Sequence, residues 1–522
     1  HKSSRGLGDV YKRQLVCYLY RIFITHMIKR NFLKNQDWNP SLIIIPILLS
    51  FLISLYVLVD VDKSTEVLGY LYSAASKKLE NIYELGAFGV IVFLLILCVL
   101  PIGSKRILLT ERPIFNDLSW GAMMFVAGMG ASILWASPVE WAQTINSKPF
   151  GLDSSSQGII QYSQAYPLFH WGFVGWALYA LPGVAFTIAI LKNPSVQLSF
   201  GGILVPNNNL IGRIIRNIFD IVFILAILAG AGVGMGVSFP VIAEMTAYLI
   251  GIENSFLFQI IILFTCLGIF GTSVYKGLEG GIKRLSNLNM ILVLVMLFII
   301  LLLGPTQFII GNAIESTSFM FEKYFQMSFL SDSSFAQSWT VFYWAWWMAL
   351  APFVGTFIVQ ISNGKTIRQM ILGTIIIGSF ATFIHFYILG GLTLNLYERG
   401  IMDIPEMVKT IPSGRIALEA LLTLPGGYFL IILYAFIATI FLCTTYDSCS
   451  YVLASTAMKK ASLRPSKLLR IVFAFLLIIQ PVLIMSLEGI DSIKYILVLS
   501  SIPLIAIYIL MMLYISKNVF KN

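Results

Sequence analysis

The sequence predicts an all-α integral membrane protein of twelve transmembrane helices, and three observations carry that prediction. Of the 522 residues, 58% are hydrophobic and only 11% charged, with a mean hydropathy of +0.84; soluble domains carry roughly 25% charged residues. Apolar stretches of about 18–25 residues, enough to cross a bilayer core, recur along the chain. The charges between them alternate between basic and acidic or mixed, the asymmetry that orients multi-span proteins.

The twelve stretches lie near 41–60, 85–104, 118–142, 168–192, 216–250, 254–272, 286–310, 338–361, 370–395, 427–457, 468–487 and 493–515. Basic residues Lys29, Arg30 and Lys34 precede the first. Every second loop repeats the bias: Lys105, Arg106 and Arg112; Lys192, Arg213 and Arg216; Lys276, Lys283 and Arg284; Lys365 and Arg368; Lys459, Lys460, Arg464, Lys467 and Arg470. The intervening loops hold acids such as Asp60, Glu66, Asp153, Glu253, Glu315, Asp332, Glu398, Asp403 and Glu488. One missed span would invert every later loop, so the alternation supports both the count and two cytoplasmic termini. It also accounts for the net charge of +10 without any nucleic-acid partner.

The ends and the middle of the chain read differently. Residues 1–40 form an N-terminal tail, whose first fourteen residues, HKSSRGLGDVYKRQ, resemble translated sequencing adapter and are set aside. Residues 311–337 are amphipathic, with Phe319, Met320, Phe321 and Tyr324 among Glu315, Glu322 and Lys323, and are expected to lie along the outer surface. Residues 516–522 form a short C-terminal tail, too short for the long basic sensing helix found in some transporters.

Enzyme and pump chemistries find no support. The five cysteines have no metal-ligand spacing, the four histidines form no constellation, and no Walker loop, Ser-His-Asp set or His-Glu-x-x-His motif is present. Neither a metal nor an organic cofactor is expected beyond a coupling ion. A channel would favour a continuous polar pore lining.

The distinctive stretch is 339–357, WTVFYWAWWMALAPFVGTF. Tryptophans normally sit at the membrane interfaces, yet here they run through the middle of a span. At helical spacing Tyr343, Trp347, Leu350 and Val354 share one face, with Phe342, Trp346 and Phe353 beside it. Ring faces carry negative potential and suit a quaternary ammonium group, which forms no strong hydrogen bonds; the same rings also suit plain packing between helices. A second cluster, HWGFVGWALY at 170–179, sets Trp171, Trp176 and Tyr179 within an arc of about 140° on one helix. Two such faces would form an aromatic box.

Two more stretches carry polar chemistry. Ala127-Gly128-Met129-Gly130-Ala131-Ser132 in the third span permits either close helix packing or an unwound segment exposing backbone groups to a cavity. Phe441-Leu442-Cys443-Thr444-Thr445-Tyr446-Asp447-Ser448 in the tenth offers two hydroxyls, which either bond back to their own helix or, with carbonyls of an unwound segment, ligate sodium. Asp447 is an intramembrane carboxylate and thus a functional candidate.

Together these motifs resemble the betaine/choline/carnitine transporter (BCCT) family over spans three to twelve. The resemblance implies a leucine-transporter-type fold: two peripheral helices at 41–117, then inverted five-helix repeats at 118–310 and 338–515, commonly assembled as homotrimers. It implies a cage of Trp171, Trp176, Tyr179 and Trp347 with Trp346 beside it, and substrate contacts from Gly128, Met129, Gly130, Ala131 and Ser132. It also implies a sodium site of Thr444, Thr445 and the carbonyls of Phe441, Ala127 and Met129. Departures from the family pattern are Leu350 in place of a further cage aromatic, Ser132 in place of Gly or Asp, and no hydroxyl residue between Ile221 and Val237 for a second sodium. Val354 stands where sodium-independent exchangers carry Met, and Lys283–Arg284 lie near their substitute cation. The expectation is a sodium-coupled importer of a small quaternary-ammonium zwitterion, glycine betaine first, in the inner or plasma membrane. The alternative is a sodium-independent carnitine or choline exchanger.

Overall fold

The computed structural model describes residues 37–107, 115–127, 130–153, 156–205, 209–276, 282–329, 333–459, 465–486 and 490–520. The adapter-like stretch, the N-terminal basic cluster, Gly128, Met129, Arg112, Asp332, Lys460, Arg464 and Glu488 lie outside the described residues, as do the side chains of Lys283 and Arg284. Among the described residues the protein is helical, and the only β-type pairings are two isolated bridges, Trp38 with Met458 and Arg106 with Thr366.

Helices occupy all twelve predicted places. In order they are α1 (Ser41–Val59), α2 (Val61–Val99), the broken third span α3 (Asp117–Ala127), α4 (Ala131–Ala136) and α5 (Glu140–Ser147), then α6 (Gln157–Trp171), α7 (Phe173–Lys192) and α8 (Leu210–Ile250). There follow α9 (Phe256–Lys276), α10 (Ile282–Leu303), α11 (Thr306–Phe329), α12 (Val341–Ile361), α13 (Ile367–His385), α14 (Gly391–Glu398), α15 (Gly427–Thr456), α16 (Lys467–Ser486) and α17 (Ile490–Val519). Seven spans among the described residues are long and apolar enough to cross a bilayer as continuous units, or eight with the bent pair α10 and α11. The remaining predicted spans are shorter, broken or only partly described.

Several predicted boundaries shift for identifiable reasons. The second span does not begin near residue 85: α2 starts at Val61, where the Asp60 carboxylate accepts the Lys63 N–H, so the helix carries a long polar first half. The fourth begins at Gln157, capped by the Ser156 hydroxyl. The amphipathic helix starts at Thr306 rather than 311, because Gly304-Pro305 turns the chain by 111° after α10. Its exposed Ile314 and Phe325 fit a helix lying across the bundle.

The core is built around α7 and α12, which share the most extensive helix–helix contact. Small residues let the backbones close in: a Cβ on Gly355 would stand 2.9 Å from Pro182 Cβ and 3.1 Å from the Gly183 nitrogen. Next to this pair, α13 supplies Gly378, whose missing Cβ leaves room for the Trp176 ring, and Gly373, which does the same for Trp120. A π-helical turn, Ala336–Thr340, leads into α12, and another, Phe386–Gly390, joins α13 to α14. Such turns insert one residue without ending the helix. Tyr508 of α17 donates to the Leu178 carbonyl at 2.8 Å and ties the last span to this core.

Two charges read from the sequence as loop cations are buried. Arg470 lies within α16 at 4% exposure and pairs with Asp447 of α15; its guanidinium also sits 5.5 Å from the Tyr451 ring centroid. Lys365, 6% exposed, pairs with Asp117 and lies 5.4 Å from the Trp120 ring centroid. Asp447 is therefore held by a cation on the neighbouring helix, which is a structural role for the carboxylate that the sequence marked as functional.

Removing one member of a buried pair strands the other charge. Arg470→Leu is expected to destabilise the protein by about 3–5 kcal/mol, whereas the double change Arg470→Leu with Asp447→Leu recovers most of that loss. Thermal unfolding of the purified variants in detergent checks this; equal destabilisation of single and double variants would contradict it.

Candidate functional site

The aromatic residues singled out in the sequence come together, but not along one helix face. Gly172 interrupts the fourth span between α6 and α7, and a Cβ there would stand 2.4 Å from the Leu168 carbonyl oxygen and 2.8 Å from the Phe383 ring. The predicted arc shared by Trp171, Trp176 and Tyr179 is therefore broken at its second residue. Trp176 and Tyr179 turn towards Trp347, with ring centroids 5.5 and 4.4 Å away. Trp171 turns aside, 6.1 Å from Trp347, 5.9 Å from Trp346 and 5.7 Å from Phe386.

Each ring is fixed by its own contacts. The Trp347 indole N–H donates to the His170 carbonyl at 2.9 Å, and its ring fills the hollow over Gly175, where a Cβ would lie 2.3 Å from it. The Trp346 N–H donates to the Gly230 carbonyl at 3.1 Å. Leu350, in the same helix, rests against the same glycine. The rings meet edge to face or tilted and all are buried, so Trp171, Trp176, Tyr179 and Trp347 form one packed cluster.

Glu140 was missed in the sequence reading although it lies within the third predicted span, 118–142. Its Oε2 accepts the Trp171 indole N–H at 2.7 Å, its Oε1 lies 3.7 Å from His170 Nδ1, and the Tyr343 hydroxyl faces it without closing a hydrogen bond. His170 Nε2 lies 3.2 Å from the Thr340 hydroxyl, at the end of the π-helical turn. A carboxylate at 1% exposure is costly unless partnered. The signal in the sequence was a lone acid inside that span.

The third span is interrupted where its glycines predicted. α3 ends at Ala127, α4 begins at Ala131, and Gly130 between them is extended at φ −134°, ψ 167°. Ser132 and Gly130 are half-buried, and Ala131 is buried. A second interruption at 137–139 precedes α5. This second interruption is braced from other helices: Tyr434 of α15 donates to the Leu134 carbonyl, while Thr393 of α14 donates to the Pro138 carbonyl at 2.7 Å and accepts from the Trp141 indole at 2.9 Å.

The tenth span does not unwind. α15 is continuous, and its threonines bond back to it: Thr444 Oγ1 to the Ile440 and Phe441 carbonyls at 3.0 Å each, Thr445 Oγ1 to the Phe441 carbonyl at 2.8 Å. Of the two readings the sequence left open for these hydroxyls, the structure shows the bonds back to their own helix. Their oxygens keep lone pairs directed away from the protons they donate. Ala127, Phe441, Thr444 and Thr445 all line a cavity of about 950 Å3, together with Val354 and Asn289. It opens past Phe115, Gln360 and Tyr451, the ends of spans three, eight and ten at the basic loops. No cluster of three or more His, Cys, Asp or Glu able to hold a metal occurs among the described residues, so any cation here rests on neutral oxygens.

A helical membrane protein with a broken span, a central aromatic cluster and a one-sided cavity is a transporter by architecture. The chain belongs to the betaine/carnitine/choline transporter family, whose model matches residues 41–522. It is 27% identical over 412 residues to a carnitine transporter of Acinetobacter baumannii, an alignment covering 76% of this chain and 74% of that protein. It is also 26% identical over 410 residues to the uncharacterized transporter YeaV of Escherichia coli strain K12, covering 76% and 84%.

The hollow over Gly175 leaves no space for a methyl group. Gly175→Ala is expected to cost about 1–3 kcal/mol by displacing the Trp347 ring. Thermal unfolding compared with Gly311→Ala, which meets nothing within 4 Å, isolates the effect; equal melting of the two variants would contradict it.

Proposed function

We propose that the protein is a secondary active importer of a small quaternary-ammonium zwitterion, glycine betaine being the lead candidate, coupled to sodium by alternating access. The observation that carries this reading is the convergence of Trp176, Tyr179 and Trp347 at the centre of the bundle, with Trp171 adjoining. When these rings part, their faces meet a cation from several sides. Gly130, Ala131 and Ser132 then present backbone and hydroxyl groups at the broken span for a carboxylate, along with Gly128 and Met129.

The sodium assignment rests on the cavity. Thr444 and Thr445 line a space that Ala127 also lines, and their hydroxyl oxygens keep lone pairs for a cation; the Ala127 carbonyl, with that of Met129 outside the described residues, would complete the oxygen set. The Phe441 carbonyl contributes least, since both hydroxyls already donate to it. The cavity reaching these residues from the basic-loop side, together with closed rings, fits an inward-open state, with the basic loops and both termini cytoplasmic in a cell inner membrane. The inverted repeats at 118–310 and 338–515 and a homotrimeric assembly belong to the same reading. A second reading, sodium-independent exchange of carnitine- or choline-like compounds, draws its substrate from the Acinetobacter relative, a carnitine transporter.

Uptake of radiolabelled betaine, carnitine and choline into proteoliposomes, with sodium, proton and counter-substrate gradients imposed separately, distinguishes the two. Sodium-driven betaine uptake is expected, carrying one positive charge per cycle and so gaining about 2.3 kcal/mol per 100 mV. Electroneutral uptake that requires internal substrate would establish exchange instead.

Two variants test the residue assignments. Trp347→Leu is expected to weaken equilibrium substrate binding by about 2- to 30-fold, the loss of one ring contributing about 0.5–2 kcal/mol, while sodium dependence persists. Replacing both Thr444 and Thr445 by Ala is expected to abolish sodium dependence. Unchanged binding in the first, or wild-type sodium dependence in the second, removes the corresponding assignment.

A further inference from the structure

A second large cavity, about 1280 Å3, lies apart from the transport pathway, between the ends of α7 and α17 and the start of α8. Lys192, Arg216, Lys459 and Lys517 line it, and no carboxylate does among the described residues. Asp220, one turn beyond Arg216 on α8, is 2% exposed; it accepts the Gly201 backbone N–H at 2.7 Å and interacts electrostatically with Arg216. Lys192 is held towards the cavity by the neutral side chain of Asn518, and Arg216 Nη2 donates to the Val205 carbonyl at 2.8 Å. Three exposed lysine ammoniums thus gather with no carboxylate partner among the described residues.

The opposite wall is apolar and faces outwards. Leu510 and Leu513, about two turns and one turn before Lys517 on α17, are 38% and 60% exposed, and Ile215 on α8 is 40% exposed. A cavity with cations at one end and exposed aliphatic side chains along the other matches a molecule with an anionic head and hydrocarbon tails. A free phosphate would satisfy the lysines and leave the apolar wall unused. We propose that this cavity seats an anionic phospholipid, its phosphate among Lys192, Lys459, Lys517 and Arg216 and its acyl chains along Leu510, Leu513 and Ile215. The site stands at the end of the spans where basic residues concentrate, the face on which clustered cations meet anionic headgroups.

The test reads lipid directly and does not depend on transport. The full chain is reconstituted in nanodiscs of phosphatidylcholine with a minor share of phosphatidylglycerol, and the lipids retained after release are counted by native mass spectrometry. The wild type is expected to retain phosphatidylglycerol above its bulk share. Each Lys→Gln change should lower that preference by up to about fivefold, the equivalent of about 1 kcal/mol per cation at an anionic surface. Lys192→Gln with Lys459→Gln and Lys517→Gln should bring it near bulk, and Lys459→Gln alone supplies the single step should the triple variant not be recovered. Arg213→Gln, on the same helix face but outside the lining, should keep the wild-type preference. Undiminished retention in the lysine variants, equal loss in Arg213→Gln, or no enrichment in the wild type would each overturn the proposal. Displacement of the retained lipid by millimolar glycerol phosphate would overturn it too, by making the site one for a soluble anion.

Discussion

The centre of this protein depends on indole rings lying over glycines. Trp347 reaches the axis of the bundle because Gly175 has no side chain, Trp176 because Gly378 has none, and Trp120 because Gly373 has none. Each ring supplies a large apolar area while each glycine lets a neighbouring backbone come close, so helices that would otherwise stand apart are held by a few broad contacts. In a bilayer, where lipid tails solvate apolar side chains as well as protein does, such close packing is a main source of helix association. The aromatic residues that the sequence suggested as a ligand cage thus hold helices of the bundle together.

Trp176, Tyr179 and Trp347 pack on one another through edge-to-face and tilted contacts, the arrangements that ring quadrupoles favour. Around this packed cluster, polar groups are positioned by the broken third span: Glu140 holds the Trp171 indole, Tyr434 braces α4, and Thr393 braces the turn before α5. The carbonyls exposed by a helix break survive inside a membrane protein only with such partners or beside water. One break is served by donors from other helices, and the other lies beside the large cavity.

Much of this was legible in the sequence. Length and apolarity located all twelve helical segments, the GMG stretch located the break in span three, and the tryptophan clusters located the residues that meet at the centre. What escaped was whatever depends on the partner across an interface. Arg470 and Lys365 read as loop cations because hydropathy treats every cation alike, whereas the acids that pair with them, Asp447 and Asp117, sit 23 and 248 residues away in sequence. The kink at Gly172 was hidden because a glycine between aromatic residues fits a continuous helix equally well until Phe383 is seen beside it. The threonines of the tenth span left two readings open, since a hydroxyl that bonds back to its own helix looks the same in sequence as one that faces a cavity.

The buried pair between Asp447 and Arg470 has a mechanical side. Two opposite charges inside the bundle cannot be drawn apart without leaving each in an apolar setting, a penalty several times the thermal energy. Helices α15 and α16 are therefore riveted at that point and travel as one lever. The threonines that line the cavity sit on the same helix less than one turn from the rivet, so rearrangement on the α16 side is transmitted to them without an intervening flexible link.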